Sequence, residues 1–452
     1  MNSDYKRFIH DKSKLCESID YFPSDLYEQY DVKKGLRDSK GNGVIVGLTG
    51  ISEVNGTETV GGVKIPCEGR LRYRGYDIQD LCRGFLNKRF GFEECAYLLL
   101  FGSLPSEFEL AEFRRHMADE ARLPATFTRD VIMKAANKDI MNSISRCILF
   151  LASYDKKALD NSTENVLRQC IYLISVFPML MVYSYQVYNH YLNDESLYIH
   201  RPDPSLSTAE NILRMLRPDK SYTKLEATVL DLALVLHMEH GGGNNSTFTT
   251  RVTTSSGSDT YAVMAAAMSS LKGPKHGGAN LKVVGMMDDL MRHVKHPDDE
   301  REVRKYLSDV LDKKAFDHQG LIYGMGHAVY TRSDPRALIF KSFVKDLAEE
   351  KGMLDRYEVY ATVERVAPEL ILEKRPHATS VTANVDFYSG FVYEMLGIPR
   401  VLFTPLFATA RIVGWSAHRI EELVTSNKIL RPAYVSIAEP REYEELEERG
   451  SE

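Results

Sequence analysis

Apolar positions recur along this chain with two different periods. Over residues 43–76, Val44, Val46, Leu48, Ile51, Val54, Val60, Val63 and Ile65 are interleaved with glycines and polar residues. That near-twofold spacing predicts short strands and turns, a small sheet rather than a domain. From Phe92 onward the spacing lengthens to three and four, which predicts amphipathic helices. They are expected over 106–120, 128–152, 165–190 and 208–216, and from the N-cap Thr223 to the stop Gly241-Gly242-Gly243. Others follow from Ser258-Asp259 to Gly273-Pro274, and over 280–295, 299–314, 335–350, 359–374, 386–396 and 405–426. Residues 1–36 are polar, helical or irregular. The chain reads as mostly α with a short N-terminal β segment.

The longest apolar run, residues 170–185, is broken by Ser175, Pro178 and Ser184. It falls short of the roughly 20 residues that span a bilayer and is expected to be a buried, Pro-kinked helix. The first residues are polar and acidic and lead into no apolar segment, so neither a secretory leader nor a transit peptide is expected. No membrane partner and a cytoplasmic location go with this. Six cysteines form no C-x-x-C pair, which removes zinc ribbons and thioredoxin-like chemistry and fits reduced thiols. A net charge of −6 argues against a nucleic-acid-coating protein but leaves room for a local cationic pocket.

Chemistry-bearing residues gather where predicted helices end in glycine, since such ends expose backbone amides to a cleft. Four segments qualify: His237-Met238-Glu239-His240-Gly241-Gly242-Gly243-Asn244-Asn245, Gly273-Pro274-Lys275-His276-Gly277-Gly278-Ala279-Asn280, Gly324-Met325-Gly326-His327-Ala328-Val329, and Ala383-Asn384-Val385-Asp386-Phe387-Tyr388-Ser389-Gly390. The first is His-x-Glu-His, which matches neither helical zinc-protease order, so no metal is expected and His237 reads as a core histidine. Walker A, the dinucleotide fingerprint and the G-x-S-x-G nucleophile elbow are all absent. What remains is histidines, an aspartate and arginines. Arginine forks grip carboxylates, neutral histidines stabilise oxygen anions, and an aspartate removes a carbon-bound proton.

The run Gly326-His327-Ala328-Val329-Tyr330-Thr331-Arg332-Ser333-Asp334-Pro335-Arg336 closely resembles the signature of the citrate synthase family. So do Gly273-Pro274-x-His276-Gly277-Gly278-Ala279-Asn280 and Asn384-Val385-Asp386-Phe387-Tyr388-Ser389-Gly390. Phe407-Ala408-x-x-Arg411-Ile412-Val413-Gly414-Trp415, Arg431-Pro432, Leu71-x-Tyr73-Arg74-Gly75-Tyr76 and the segment from Ala96 to Pro105 follow the family order. The resemblance covers about residues 43–435.

That resemblance implies a mostly helical fold with a large domain, 1–277 plus 398–452, and a small one, 278–397. It implies that Asp386 takes a proton from the methyl of acetyl-CoA, a co-substrate rather than a resident cofactor. His276 would donate to the thioester oxygen and His327 to the ketone of oxaloacetate. His240, Arg336, Arg411 and Arg431 would hold carboxylates, with Arg431 reaching across a homodimer. The citryl-CoA formed would then be hydrolysed. Lys272, Lys275, Arg332, Lys374 and Arg375 are candidates for the CoA phosphates and read equally well as solvated surface charges.

The residues carry their own readings beside the resemblance. A carboxylate is a poor base for thioester methyl protons, so the site must stabilise the enolate oxygen. Asp386, opening a helix, is equally placed to be its N-cap. Arg336 reads also as a surface ion pair, whereas Arg411, in an apolar helix, demands a buried anion. Trp415 reads as core. Met238-Glu239, Ala383 and Met325 depart from the usual family residues and bear on the shape of the acyl pocket. A sister activity uses propionyl-CoA, and one methylene is worth only about 1–3 kcal/mol of discrimination. A catalytically silent acyl-CoA-binding relative and a metal-dependent hydrolase on His237, Glu239 and His240 are the rival classes.

Overall fold

The computed structural model describes residues 3–38, 43–86, 88–374, 380–426, 428–446 and 449. They divide into two compact units, 1–48 with 431–452, and 49–430. In the first, the helix Ser3–Ile19 and the short helix Asp25–Gln29 have no buried residue. Val44, Val46 and Leu48, expected in the sheet, are exposed here and lie outside any strand. Their alternation has no buried face to occupy, and a single bridge links Gly43 to Arg37.

The second unit opens with the sheet. Strand β1 (Ser52–Val60) pairs antiparallel with β2 (Val63–Tyr73), and β2 with the two-residue β3 (Tyr76–Asp77). Ile51, Leu71 and Tyr73 point into the core. The Tyr73 hydroxyl donates to the carbonyl of Val235 (2.9 Å) and accepts the N–H of Glu239 (3.2 Å), tying the sheet to the end of the helix Lys224–Met238.

The rest of this unit is helical. The helix Thr163–Asn193 continues through Pro178. It is long and apolar enough to cross a membrane, but 78% of its most apolar stretch is buried inside the protein, where it serves as core. The helix expected over 128–152 is broken. A π-type turn at Thr128–Ile132 and a 3-10 turn at Met133–Ala135 precede a fresh helix, Ile140–Ala152. The break comes from polar punctuation: Asn137 Oδ1 accepts the N–H of Asp139, and Asp139 caps the new helix through the N–H of Asn142. A helix at Asn245–Ser255 was not anticipated, because its threonine-rich face lacks an apolar period. Asn244 starts it by accepting the N–H of Thr247 (3.1 Å). Threonine hydroxyls then bond back one turn, as Thr250 does to the carbonyl of Ser246.

Two groups of helices position the site. Lys224–Met238, Asn245–Ser255 and Thr260–Leu271 pack with or beside Phe403–Thr425, while Ala279–His293 and Pro335–Glu350 both pack on Val385–Met395. Gly414 lets the first group close. A Cβ there would lie 2.4 Å from Glu239 Oε2 and 2.5 Å from the carbonyl of Met238. Gly414→Ala is therefore expected to cost about 1–3 kcal/mol in urea denaturation. An unchanged midpoint would mean that this contact relaxes freely.

Candidate active site

Two of the glycine-flanked segments zip together. The N–H of Gly326 donates to the carbonyl of Thr382 (2.8 Å) and that of Asn384 to the carbonyl of Gly324 (2.9 Å). Asn384 Nδ2 also donates to the carbonyl of Gly326 (2.8 Å). Gly324 has φ +80, and a Cβ on it would lie 3.0 Å from the Cα of Phe387, so no other residue fits that approach. This clasp brings His327 and the start of the helix Val385–Met395 to the same place. Asn384, not Asp386, caps that helix, by accepting the N–H of Asp386 (3.0 Å). The carboxylate of Asp386 is thereby released from the capping role that the sequence left open.

Hydrogen bonds fix the tautomers of two histidines. His327 Nδ1 accepts the N–H groups of Val329 (3.0 Å) and Tyr330 (3.1 Å). A backbone N–H can only donate, so the ring proton sits on Nε2. His276 is the mirror case. Its Nε2 accepts the N–H of Ser246 (3.3 Å), which leaves the proton on Nδ1. Ser246 Oγ, held by Trp415 Nε1 (3.1 Å), lies 3.0 Å from the same Nε2 and turns its proton toward it. Trp415, which reads as core in the sequence, is fully buried and also steadies the residue that orients His276. Burial, with Arg336 for one and Arg411 for the other, lowers both imidazoles to about 4. Both are therefore neutral near pH 7, each with one N–H to give.

His240 lies 5.1 Å from His327, ring to ring, with Nε2 3.2 Å from the Tyr330 hydroxyl. Burial first, then Arg336, holds it well below the ordinary histidine range. Its neighbour Glu239 is fully buried. Oε1 accepts from Ser52 Oγ (2.9 Å) and His418 Nε2 (3.0 Å), so this carboxylate is engaged in the scaffold. Burial alone would raise Glu239, but His418, Arg411 and Ser52 outweigh it and hold the group at about 2. Behind His418 stands Arg251, paired with Glu421 and Glu422. His237 is a core histidine as expected, 1% exposed.

Arg336 is not a surface cation. It is 3% exposed and forks onto Asp334 through Nε (3.0 Å) and a terminal amine (2.7 Å). Asp334 is a site residue that the sequence reading missed. It caps the helix Pro335–Glu350 and accepts the N–H of Val385 (3.2 Å), joining both halves of the clasp. An Asp just before Pro-Arg was the available signal. Arg411 is 1% exposed; its Nε donates to the carbonyl of His237 (2.7 Å) and its guanidinium lies over Phe407. No carboxylate pairs with it among the described residues, and burial lowers it to about 10. Asp386 is raised to about 6 by burial and by Asp334, against the opposing pull of Arg336 and Arg411.

His240, His276, His327, Arg336, Asp386 and Arg411 thus lie in the unit spanning 49–430. Arg431 lies in the other unit and is exposed. Of the CoA candidates, Lys272 pairs with Asp139 and Lys374 with Asp312. Lys275 and Arg332 are exposed, and Arg375 falls outside the described residues.

The family model described as "Citrate synthase, C-terminal domain" matches residues 39–433. The chain belongs to the citrate synthase family. It is 34% identical to a citrate synthase of Synechocystis sp. over 88% of this chain and 90% of the relative. It is 30% identical to a 2-methylcitrate synthase of Corynebacterium glutamicum over 93% and 98%. Among solved structures it superposes with a TM-score of 0.74 on citrate synthase from Pyrobaculum aerophilum, at 29% identity over 92% and 95% of the two chains. The same score holds for a ternary complex of the Thermoplasma acidophilum enzyme with carboxymethyl coenzyme A and oxaloacetate, at 28% identity over 92% and 99%. The chain is thus a condensing acyltransferase of this family, whose co-substrate is an acyl-CoA.

Nitrogen NMR of labelled histidine near pH 7 is expected to show His276 protonated at Nδ1 and His327 at Nε2. The opposite tautomer at either residue would withdraw its N–H from the cleft. In kcat/KM the acid limb is expected near pH 6, with activity lost as pH falls and Asp386 takes up a proton.

Proposed function

We propose that this protein is a citrate synthase, condensing acetyl-CoA with oxaloacetate and hydrolysing citryl-CoA to citrate and CoA. One observation carries this reading. Two neutral histidines with opposite tautomers each present a single N–H, and a half-buried, base-competent carboxylate shares with them the field of Arg336 and Arg411. That is what a reaction between two carbonyl compounds requires. Asp386 removes a methyl proton while His276 Nδ1–H stabilises the enol oxygen. His327 Nε2–H polarises the ketone as the enol carbon attacks it, and a carbon–carbon bond forms. Water then adds to the thioester, the carbon–sulfur bond breaks, and the CoA thiol leaves. Arg411, lacking a carboxylate partner of its own, takes a substrate carboxylate together with Arg336 and His240.

His327, Arg336 and Asp386 belong to the proposed small domain, 278–397, whereas His240, His276 and Arg411 belong to the proposed large one. Closure of one on the other would expel water before proton abstraction. Arg431 of the partner subunit completes the carboxylate set in a homodimer. The exposure of Ile45, Leu48 and Tyr434 in the unit that carries Arg431 supports a surface awaiting a second chain. A cytoplasmic location accompanies this reading, and the six unpaired cysteines suit it. The second reading, 2-methylcitrate synthesis from propionyl-CoA with the same residues in the same roles, is supported by relatives of that name at 30% identity.

Release of CoA thiol, followed with oxaloacetate and either acetyl-CoA or propionyl-CoA, separates the two readings. Higher kcat/KM with acetyl-CoA is expected. A preference for propionyl-CoA moves the assignment to 2-methylcitrate, and no release with either overturns both. Asp386→Ala and Arg431→Ala homodimers should each be nearly inactive, while mixed heterodimers regain one working site per dimer. No recovery in verified heterodimers would remove Arg431 from the partner's site.

A further inference from the structure

The helix that carries Asp386 continues in two buried hydroxyls that nothing satisfies. Ser389 and Tyr393 follow Asp386 by three and seven residues, so the three share one face. Both are 0% exposed, and neither Ser389 Oγ nor Tyr393 Oη has a hydrogen-bond partner among the described residues. Side chains on a helix lean toward its N-terminus, which carries the Tyr393 hydroxyl back toward Asp386. Opposite Tyr393, at 6.2 Å between rings, stands His237. Its Nδ1 and Nε2 are both buried, and neither has a partner among the described residues. The ring is wedged against Phe407 and Phe340, so it has no route to solvent.

A neutral imidazole has one donor and one acceptor to satisfy, and a hydroxyl can do either. Buried groups of this kind are paired with protein or with internal water in nearly every protein. Here His237 faces Tyr393 across two helices, and Ser389 lies on the Tyr393 face one turn nearer the carboxylate, with no hydrogen-bond partner for any of the three among the described residues.

We propose that His237, Ser389 and Tyr393 enclose ordered water behind Asp386, and that this network donates to the Asp386 carboxylate and keeps it ionised. The proposal rests on the reading of Asp386 as the base. His237, Ser389 and Tyr393 are positioning residues, since they act through the carboxylate and not on substrate. The other groups set against Asp386 are already committed or distant in role. Arg336 is bound to Asp334, at the start of the helix Pro335–Glu350. Arg411, on Phe403–Thr425, is aimed at substrate anions. The helix Ala279–His293 brings the neutral, buried Asn280. The 3-10 turn Arg400–Leu402 brings Arg400, which is spent on Glu394 and Asp288. Among the described residues no protein group donates to this half-buried carboxylate, and the water network supplies a donor on the side turned away from the cleft. Loss of a donor to an ionised carboxylate raises its pKa.

The test is an NMR titration of isotope-labelled aspartate carboxyl carbons, with Asp386→Asn identifying the signal. Tyr393→Phe and His237→Leu are each expected to raise the Asp386 midpoint by about half a pH unit or more. The double variant should raise it no further than the larger single change, because one network is lost once. His237→Gln should stay near the wild type, since its amide keeps a donor and an acceptor. The acid limb of kcat/KM should move upward in step, with oxaloacetate affinity retained. An unmoved midpoint in folded Tyr393→Phe and His237→Leu protein overturns the proposal, even if kcat falls. Should Tyr393→Phe fail to fold, Ser389→Ala reads the same network. The titration needs no turnover, so failure of the network and failure of the proposed reaction are seen separately.

Discussion

Two guanidinium groups are buried near one another, and among the described residues only one of them forms an ion pair. Arg336 has Asp334, while Arg411 bonds the carbonyl of His237, lies over Phe407 and meets Glu239 and Asp386 only at longer range. Keeping a cation such as Arg411 away from water is unfavourable unless an anion arrives. This constraint orders the rest of the site. Burial first, and then the same positive field, keep His237, His240, His276 and His327 neutral, because an imidazolium there would lose water and be repelled. That field also restrains the rise that burial imposes on Asp386, which leaves that group ionised at neutral pH yet basic enough to take a proton. Substrate carboxylates would complete the balance, so binding energy is available to be used for chemistry.

Neutral histidines act as donors only if their tautomers are fixed, and here the backbone fixes them. Two consecutive N–H groups hold His327, and the N–H of Ser246 holds His276. Neither depends on a side-chain ion pair, so neither is sensitive to salt. The scaffold under them is ionic instead. Glu239, His418, Arg251, Glu421 and Glu422 link the end of the Lys224–Met238 helix to Phe403–Thr425, beneath His240. Gly414 opens the space in which Glu239 lies.

Much of this was legible in the chain. The 3.6-residue period set out most helices, and the glycine-flanked histidines marked where helix ends meet a cleft. The motifs named the family, and His276, His327 and Asp386 with them. The breaks in that legibility have physical causes. Asn245–Ser255 carries no apolar stripe, because threonine hydroxyls bonding back along the helix replace hydrophobic periodicity. The helix expected over 128–152 fails where Asn137 and Asp139 capture backbone amides. Val44, Val46 and Leu48 alternate like a strand but have no partner strand to bury them.

Sequence by itself determined the class of fold, a set of candidate reactive groups and the local signals that start and stop most helices. These are properties of neighbours along the chain: period, caps, glycines. Tertiary structure alone decided what state those groups are in. Asp386 or Asn384 as cap, Arg336 on the surface or inside, and which nitrogen of each histidine bears the proton all turn on contacts between distant segments. Gly324–Gly326 lying along Thr382–Asn384, and Ser246 beneath His276, are such contacts. Charge and protonation depend on burial and on what stands opposite, and neither is written in the order of residues.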